Sequence, residues 1–270
     1  MASAAAQAGV HSGKATADLL AASPTYQPGQ PLQVAVRLKM DFGWHTYWSN
    51  PGEGGMKLGV KWQLPPGWTA GEPGYPVPKA FRTGDLAGYG YEGTVVFPIT
   101  LTPSAGATGL VKATAAISWL TCNDDACVPG KAEISLDLNQ GAAKETTDAQ
   151  EIRAATEKLP MPQPDWKFKV VEEGKTLELT LQGPEALDLA GVKVFPETEQ
   201  AVDPAAKIEF KKSGGWGSAT SGSEASVFKS GKVWSATVPK NEYATAPLKT
   251  LSLVIATEPP VRVTWAAENP

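Results

Sequence analysis

Long stretches of the chain place an apolar side chain on every second residue. Successive side chains of an extended backbone point to opposite faces, so this spacing builds half-buried strands rather than amphipathic helices, whose apolar residues recur every three to four. Leu32, Val34, Val36, Leu38 and Met40 follow the pattern, as do Val95, Phe97, Ile99 and Leu101; Ala113, Ala115, Ile117 and Trp119; and Ile134, Leu136 and Leu138. It resumes with Trp166, Phe168 and Val170; Leu177, Leu179 and Leu181; Leu251, Leu253 and Ile255; and Val261, Val263 and Trp265. Turn residues separate the runs: Asn50-Pro51-Gly52, Pro65-Pro66-Gly67, Glu173-Gly174-Lys175 and Ser230-Gly231-Lys232. Many short strands with frequent turns predict an all-β protein of antiparallel sandwiches or barrels.

One segment breaks the period. Thr147-Asp148-Ala149-Gln150 reads as a capping box, and Ala149, Ile152, Ala155 or Thr156, and Leu159 keep helical spacing until Pro160 and Pro162 end it. A short helix followed by Pro160-Met161-Pro162-Gln163-Pro164 predicts a connector over 144–162, between a first domain over 1–143 and a second over 163–270. The Gly- and Ser-rich tract from Ser213 to Ser226 predicts a mobile loop in the second.

Composition narrows the partners. A net charge of −4 with scattered Lys and Arg gives no basic field for phosphates, which argues against nucleic acid and anionic membrane surfaces. No apolar run approaches the ~20 residues that span a bilayer. The small-residue run Met1-Ala2-Ser3-Ala4-Ala5-Ala6-Gln7-Ala8 predicts the mature side of a trimmed export signal, and Glu268-Asn269-Pro270, directly after a strand, predicts a cut before a further segment. Only through such a missing C-terminal segment would the protein meet a membrane.

Several apparent motifs do not carry chemistry. Gly88-Tyr89-Gly90-Tyr91-Glu92-Gly93 matches GxGxxG, but a strand, Thr94-Val95-Val96-Phe97-Pro98, follows where a dinucleotide site needs a helix. Of two histidines, His11 falls in a tail expected to be disordered, so a Ser/His/Asp hydrolase would rest on His45 alone. Asp124-Asp125 reads as a turn. The two cysteines say more: Cys122 and Cys127 flank Asn123-Asp124-Asp125-Ala126 and precede Pro129-Gly130, across the neck of a predicted hairpin. Residues opposed across antiparallel strands have Cα atoms about 4.5–5.5 Å apart, within disulfide reach. Three readings stay open from the residues alone. Stapling so short a loop contributes only about 2 kcal/mol; a Cu(I) or Zn pair lacks a His or third Cys to complete its ligands; redox exchange is the third, and spacing does not separate them further. Asp124 and Asp125 disfavour thiolate, with no Lys, Arg or His in the loop, so a low-pKa thiolate on a partner would attack this disulfide. Pro129 restricts the backbone near Cys127, which points to Cys122 as the less hindered target.

The surrounding residues add a family likeness. Gly43-Trp44-His45-Thr46-Tyr47-Trp48-Ser49-Asn50-Pro51-Gly52, Trp62-Gln63-Leu64-Pro65-Pro66-Gly67-Trp68, Pro76-Val77-Pro78-Lys79, Tyr89-Gly90-Tyr91-Glu92-Gly93, and Trp119-Leu120-Thr121-Cys122 through Cys127-Val128-Pro129-Gly130 occur in that order. Over about residues 15–140 the chain resembles the N-terminal periplasmic region of the DsbD family of thiol:disulfide interchange proteins, and within it the ScsB type, the suppressor-of-copper-sensitivity branch. The resemblance implies an immunoglobulin-like first domain in the periplasm, as the soluble part of an inner-membrane protein. Its Cys122–Cys127 pair would take electrons from a membrane-embedded reductase, by way of a thioredoxin-like domain of the same full-length protein. It would then reduce oxidised periplasmic thioredoxin-fold proteins, a thiol:disulfide oxidoreductase with no cofactor and no metal. Tyr89, Gly90, Tyr91 and Glu92 occupy the place of a cap loop over the disulfide, with His45 and Tyr47 beside it as partner contacts. The tyrosines would lay apolar faces on the sulfurs, and Gly88, Gly90 and Gly93 would let the loop swing. Two departures stand out: four residues separate the cysteines rather than five, and the cap region is shorter. The second half fits by architecture and position, as a second immunoglobulin-like sandwich without cysteine.

Two other functions compete. A copper-binding protein would use Cys122, Cys127 and Met40 or Met56. A sugar-binding sandwich would stack ligands on Trp44, Trp48, Trp62 and Trp68, with a purely structural disulfide.

Overall fold

The computed structural model describes residues 9–213, 232–244 and 247–267. The expected signal remnant at 1–8, nearly all of the Gly- and Ser-rich tract, and residues 268–270 lie outside them. The chain divides into two compact units, residues 1–159 and 160–270, each a pair of β-sheets.

In the first unit one sheet runs in the order Val10–Ser12, Ala15–Ala21, Leu32–Met40, Thr94–Thr102, Thr69–Ala70. The other runs Thr25–Tyr26, Cys127–Gln140, Leu110–Cys122, His45–Gly52, Leu86–Glu92, Lys79–Thr83, with Gly59–Gln63 also paired on Leu110–Cys122. The alternation read from the sequence appears directly as burial: Val34, Val36, Leu38, Phe97, Ile99, Leu101, Ala113, Ala115, Ile117 and Trp119 are core residues. A strand the alternation missed, Ala15–Ala21, buries both Leu19 and Leu20. Its second face is covered because the helix Ala149–Glu157 packs there, setting Ile152 against Leu20, Ala35 and Val96. Beside this contact Arg37 joins the strand to the helix, 3.1 Å from Asp18 and 2.9 Å from Glu151.

Two local readings are corrected. The helix read as a connector packs on the first unit, and its capping box does not form: Asp148 is the N-cap and makes no side-chain cap bond. Thr146 takes the work instead, its hydroxyl accepting from the Asp148 N–H at 3.2 Å and donating to the Ala21 carbonyl at 2.6 Å. His11, expected in a disordered tail, belongs to the edge strand Val10–Ser12 and lies 3.1 Å from Asp41. A strand partner, Ala15–Ala21, holds the segment that composition alone left loose.

The second unit pairs a sheet Met161–Pro162, Val261–Ala266, Thr250–Ile255, Val194–Pro196 with a sheet Lys167–Glu173, Thr176–Gln182, Val233–Pro239, Lys211–Ser213. Leu177, Leu179 and Leu181 share its core with Leu251, Leu253 and Ile255. At its margin Glu172 accepts from Lys240 and from the Leu248 N–H. The Lys240 hydrogen bond holds the Glu172 carboxyl below its usual range against a smaller opposing effect of burial.

Ile152→Ala is expected to lower the stability of the first unit by about 2–5 kcal/mol, the usual cost of emptying a buried aliphatic site, measured by urea unfolding. Glu172→Gln tests the second. A carboxylate whose folded pKa is depressed stabilises above the unfolded value and loses that contribution as pH falls through the folded one. The Tm difference between wild type and Glu172→Gln is therefore expected to be largest above about pH 5 and to vanish in stronger acid.

Candidate functional site

The strands Leu110–Cys122 and Cys127–Gln140 pair without interruption from Leu110 opposite Asn139 to Cys122 opposite Cys127. Asn123 closes the turn between them, its side-chain oxygen accepting from the N–H groups of Asp125 at 3.0 Å and Ala126 at 2.8 Å. Across this neck the cysteines form a disulfide with Cα atoms 4.1 Å apart and an S–S distance of 2.02 Å. Pro129 is tolerated in the strand because it sits outside the short Asn139–Gln140 pairing that continues the sheet, where no ladder donor is needed. Gly130 lies opposite Trp119, and a Cβ there would stand 2.3 Å from the indole.

Parity then decides what surrounds the bond. Ala113, Ala115, Ile117 and Trp119 point into the sandwich, so Cys122 points to the outer face of its sheet. Even so it has 0% exposure, while Cys127 is exposed. The cover comes from the neighbouring strands. His45 pairs with Cys122, and Tyr47, two residues on, shares its face and donates from Oη to Cys122 Sγ at 3.0 Å. Phe81, from the edge strand Lys79–Thr83, lies against both, with ring centres 3.9 Å from His45 and 5.5 Å from Tyr47. Thr83 completes the group, its Oγ1 3.2 Å from His45 Nε2. Burial pushes the Tyr47 phenol above its ordinary pKa, with the nearby Thr83 side chain opposing. Burial likewise pushes the His45 imidazole down, against the pull of the Glu92 and Asp124 carboxylates, so it is neutral at neutral pH.

The expected cap is the main correction. Tyr89-Gly90-Tyr91-Glu92 is not a swinging loop but the body of the strand Leu86–Glu92, hydrogen-bonded to His45–Gly52 on one side and Lys79–Thr83 on the other. Tyr89 and Tyr91, 3% and 8% exposed, point inward: Tyr89 meets Trp48 edge-on, and Tyr91 packs on Phe97 and donates to the Pro76 carbonyl at 2.7 Å. Gly88 and Gly90 are spaces rather than hinges. A Cβ on Gly90 would stand 1.9 Å from the Thr46 carbonyl oxygen and 2.9 Å from the Phe81 ring, and one on Gly88 would meet the same ring at 3.1 Å. Of the remaining expected residues, His45 and Tyr47 stand at the disulfide, and Glu92, opposite His45, lies 3.4 Å from Lys79. Exposure also reverses the reading of which sulfur is open, because the crowding comes from Tyr47 over Cys122 and not from Pro129.

Phe81 and Thr83 escaped the sequence reading. The signal that could have found them is the Gly-x-Gly strand itself, since two glycines on one face of a strand leave room for an aromatic ring from a neighbour. For the competing functions, Trp48 and Trp68 are buried in the sandwich and offer no stacking face. Met40 is buried too, and both cysteines are in the disulfide.

Residues 16–139 match the family model described as thiol:disulfide interchange protein DsbD, N-terminal. The chain is similar in fold to the N-terminal periplasmic domain of ScsB from Proteus mirabilis, with a TM-score of 0.64 and 20% identity over 95% of this chain and 94% of that one. A conserved domain protein from Bacillus anthracis aligns over 92% of this chain and 75% of that one at 11% identity, with a TM-score of 0.27. No curated protein matches the sequence.

Gly90→Ala tests the packing of the cover. Forcing a methyl between the Thr46 backbone and the Phe81 ring is expected to cost about 1–3 kcal/mol and to raise the reactivity of the disulfide towards glutathione, read from unfolding curves and the rate of thiol appearance.

Proposed function

We propose that this chain, whose residues 16–139 belong to the N-terminal family of the thiol:disulfide interchange protein DsbD, is a periplasmic exchange module in which a partner thiolate attacks Cys127 and Cys122 leaves. The asymmetry of the pair carries the reading: one cysteine, Cys127, is exposed, and the other is buried beneath an aromatic cover with a hydroxyl aimed at its sulfur. A purely structural staple has no use for either feature. Attack through a mixed disulfide needs an accessible sulfur and a leaving sulfur whose new charge is met by a donor. Tyr47 is that donor. The acidic turn Asp124-Asp125 holds the chain's own thiols back from initiating, so exchange begins on the partner.

In this reading electrons arrive from a membrane-embedded reductase through a thioredoxin-like domain of the same full-length protein. They leave to oxidised periplasmic thioredoxin-fold proteins. Phe81 keeps unrelated thiols from Cys122, so that attack is confined to Cys127, and the edge position of its strand lets it move without opening the core. His45 and Glu92 border the surface a partner would cover. Exchange belongs to residues 1–159, since the second unit has no cysteine.

Cys122→Ser, which leaves the exposed Cys127, is expected to trap a covalent adduct with an oxidised thioredoxin-like partner, seen as a mass shift on a non-reducing gel, while Cys127→Ser traps little. If neither variant forms an adduct and the native disulfide survives millimolar dithiothreitol, the pair is a staple. Phe81→Ala is expected to speed reduction by glutathione several-fold more than reduction by the thioredoxin-like partner, whereas Tyr89→Ala is expected to destabilise the fold without that selectivity change. Residues 1–159 produced alone are expected to exchange as fast as the full chain in the same assay.

A further inference from the structure

The turn Asp41-Phe42-Gly43-Trp44 carries a bare phenylalanine. The Trp44 N–H donates to the Asp41 carbonyl at 3.1 Å, and Gly43 takes φ +79°, the conformation that glycine supplies at the third position of a type II turn. Such a turn asks for the glycine and not for an aromatic ring before it. Phe42 is nevertheless 104% exposed, more than any other large apolar side chain among the described residues, so it adds nothing to the core. The residues on either side of it are tied down. Asp41 donates its N–H to the Lys14 carbonyl at 2.9 Å and sets its carboxylate 3.1 Å from His11, while Lys14 Nζ stands 5.7 Å from the centre of the Trp44 ring. The ring is thus presented on a fixed base, and docking on it would order one side chain and no backbone.

Its position gives the ring a use. Phe42 lies three residues before His45, which pairs with Cys122, so its Cα is no more than about 11 Å from that of His45. Through Gly13-Lys14 the same turn also reaches the neck of the cysteine hairpin. The Thr121 hydroxyl donates to the Gly13 carbonyl, and a Cβ on Gly13 would stand 2.4 Å from the Gly130 nitrogen. Phe42 and the exposed Cys127 therefore share one end of the sandwich, within the span of a standard interface of about 800 Å² on each partner. Ala126 and Pro129 are exposed there as well, and the residues between the cysteines add two exposed carboxylates, Asp124 and Asp125, and no cation. An aromatic ring among small apolar neighbours, with charge at the margin, is how protein interfaces are built.

We infer that Phe42 is the anchor on which the attacking partner docks, its ring entering an apolar depression beside the partner's reactive cysteine while Asp124 and Asp125 face the positive potential around that thiolate. The inference rests on the exchange reading above and names the surface by which the site selects its partner. A protein thiol is kept as thiolate by a nearby cation or a helix N-terminus, so a protein able to attack brings positive potential with it. A free anionic thiol such as glutathione brings no such potential and no apolar depression, and meets the two carboxylates as repulsion. Attraction for one and repulsion of the other together give selectivity. Docking makes and breaks no covalent bond; it sets the partner's thiolate at Cys127.

The test follows reduction of the oxidised full chain by reduced thioredoxin, by glutathione and by cysteamine, each reported as a rate per thiolate. Phe42→Ala is expected to lower the ratio of the thioredoxin rate to the glutathione rate by about ten-fold or more, as truncating an interface anchor does, and Phe42→Trp to restore it. Leu110→Ala removes another exposed apolar side chain, 65% exposed and about 40 Å away at the far end of the strand that carries Cys122, and is expected to leave the ratio at its wild-type value. Asp124→Asn with Asp125→Asn is expected to raise the glutathione rate and lower the cysteamine rate, and high salt to shrink both changes. An unchanged ratio in Phe42→Ala overturns the anchor. So does a dimer of the wild-type chain in sedimentation that Phe42→Ala dissolves, because the ring would then serve self-association. Equal wild-type rates for cysteamine and glutathione overturn the charge selection. Each of these results leaves exchange intact, whereas a wild-type disulfide inert to all three reductants overturns the exchange reading itself.

Discussion

The antiparallel pairing of Leu110–Cys122 with Cys127–Gln140 is the constraint on which the rest depends. Its register sets the two cysteines opposite one another at the end of an unbroken ladder, where the disulfide joins the two strands. Its parity commits Ala113, Ala115, Ile117 and Trp119 to the core and therefore Cys122 to the outer face. A slip of one residue would exchange the two sets, burying serine and lysine side chains and exposing tryptophan. Core packing and the placing of the reactive bond are thus a single choice of register.

An outer-face disulfide would ordinarily be open to any thiolate. Here the sheet covers one half of it, Cys122, with its own edge. Gly88 and Gly90 clear the surface of one strand, Phe81 from the next fills the space, and its ring reaches His45 and Tyr47. The result is a pair of cysteines in unlike surroundings, Cys122 buried and hydrogen-bonded, Cys127 exposed. In the exchange proposed above, unlike surroundings would give direction to a bond that is chemically symmetric, with attack at the exposed cysteine and charge at the buried one.

The opposite sheet of the same unit solves a different problem. Its outer face carries Leu20, Ala35 and Val96, which would leave an apolar patch in water. The helix Ala149–Glu157 closes that patch through Ile152, and the Arg37 ion pairs with Asp18 and Glu151 fix its position. The second unit has its own core of leucines and contributes no thiol chemistry.

The sequence by itself determined the strands whose alternation is strict, the opposition of Cys122 and Cys127, and the family likeness, because each depends on neighbours along the chain. Leu32–Met40 appears with the bounds its alternation implied. Tertiary structure decided the identity of the cover. Tyr89 and Tyr91 looked like a cap because two tyrosines among glycines suit a loop; they face the core because the strand between His45–Gly52 and Lys79–Thr83 gives odd positions the inner side. Phe81, Thr83 and the openness of Cys127 could not be read along the chain, since each arises from a strand some forty residues from the cysteines folding to the same sheet. Periodicity reports which side of its own strand a residue takes, and only the packed sheet reports what stands on that side.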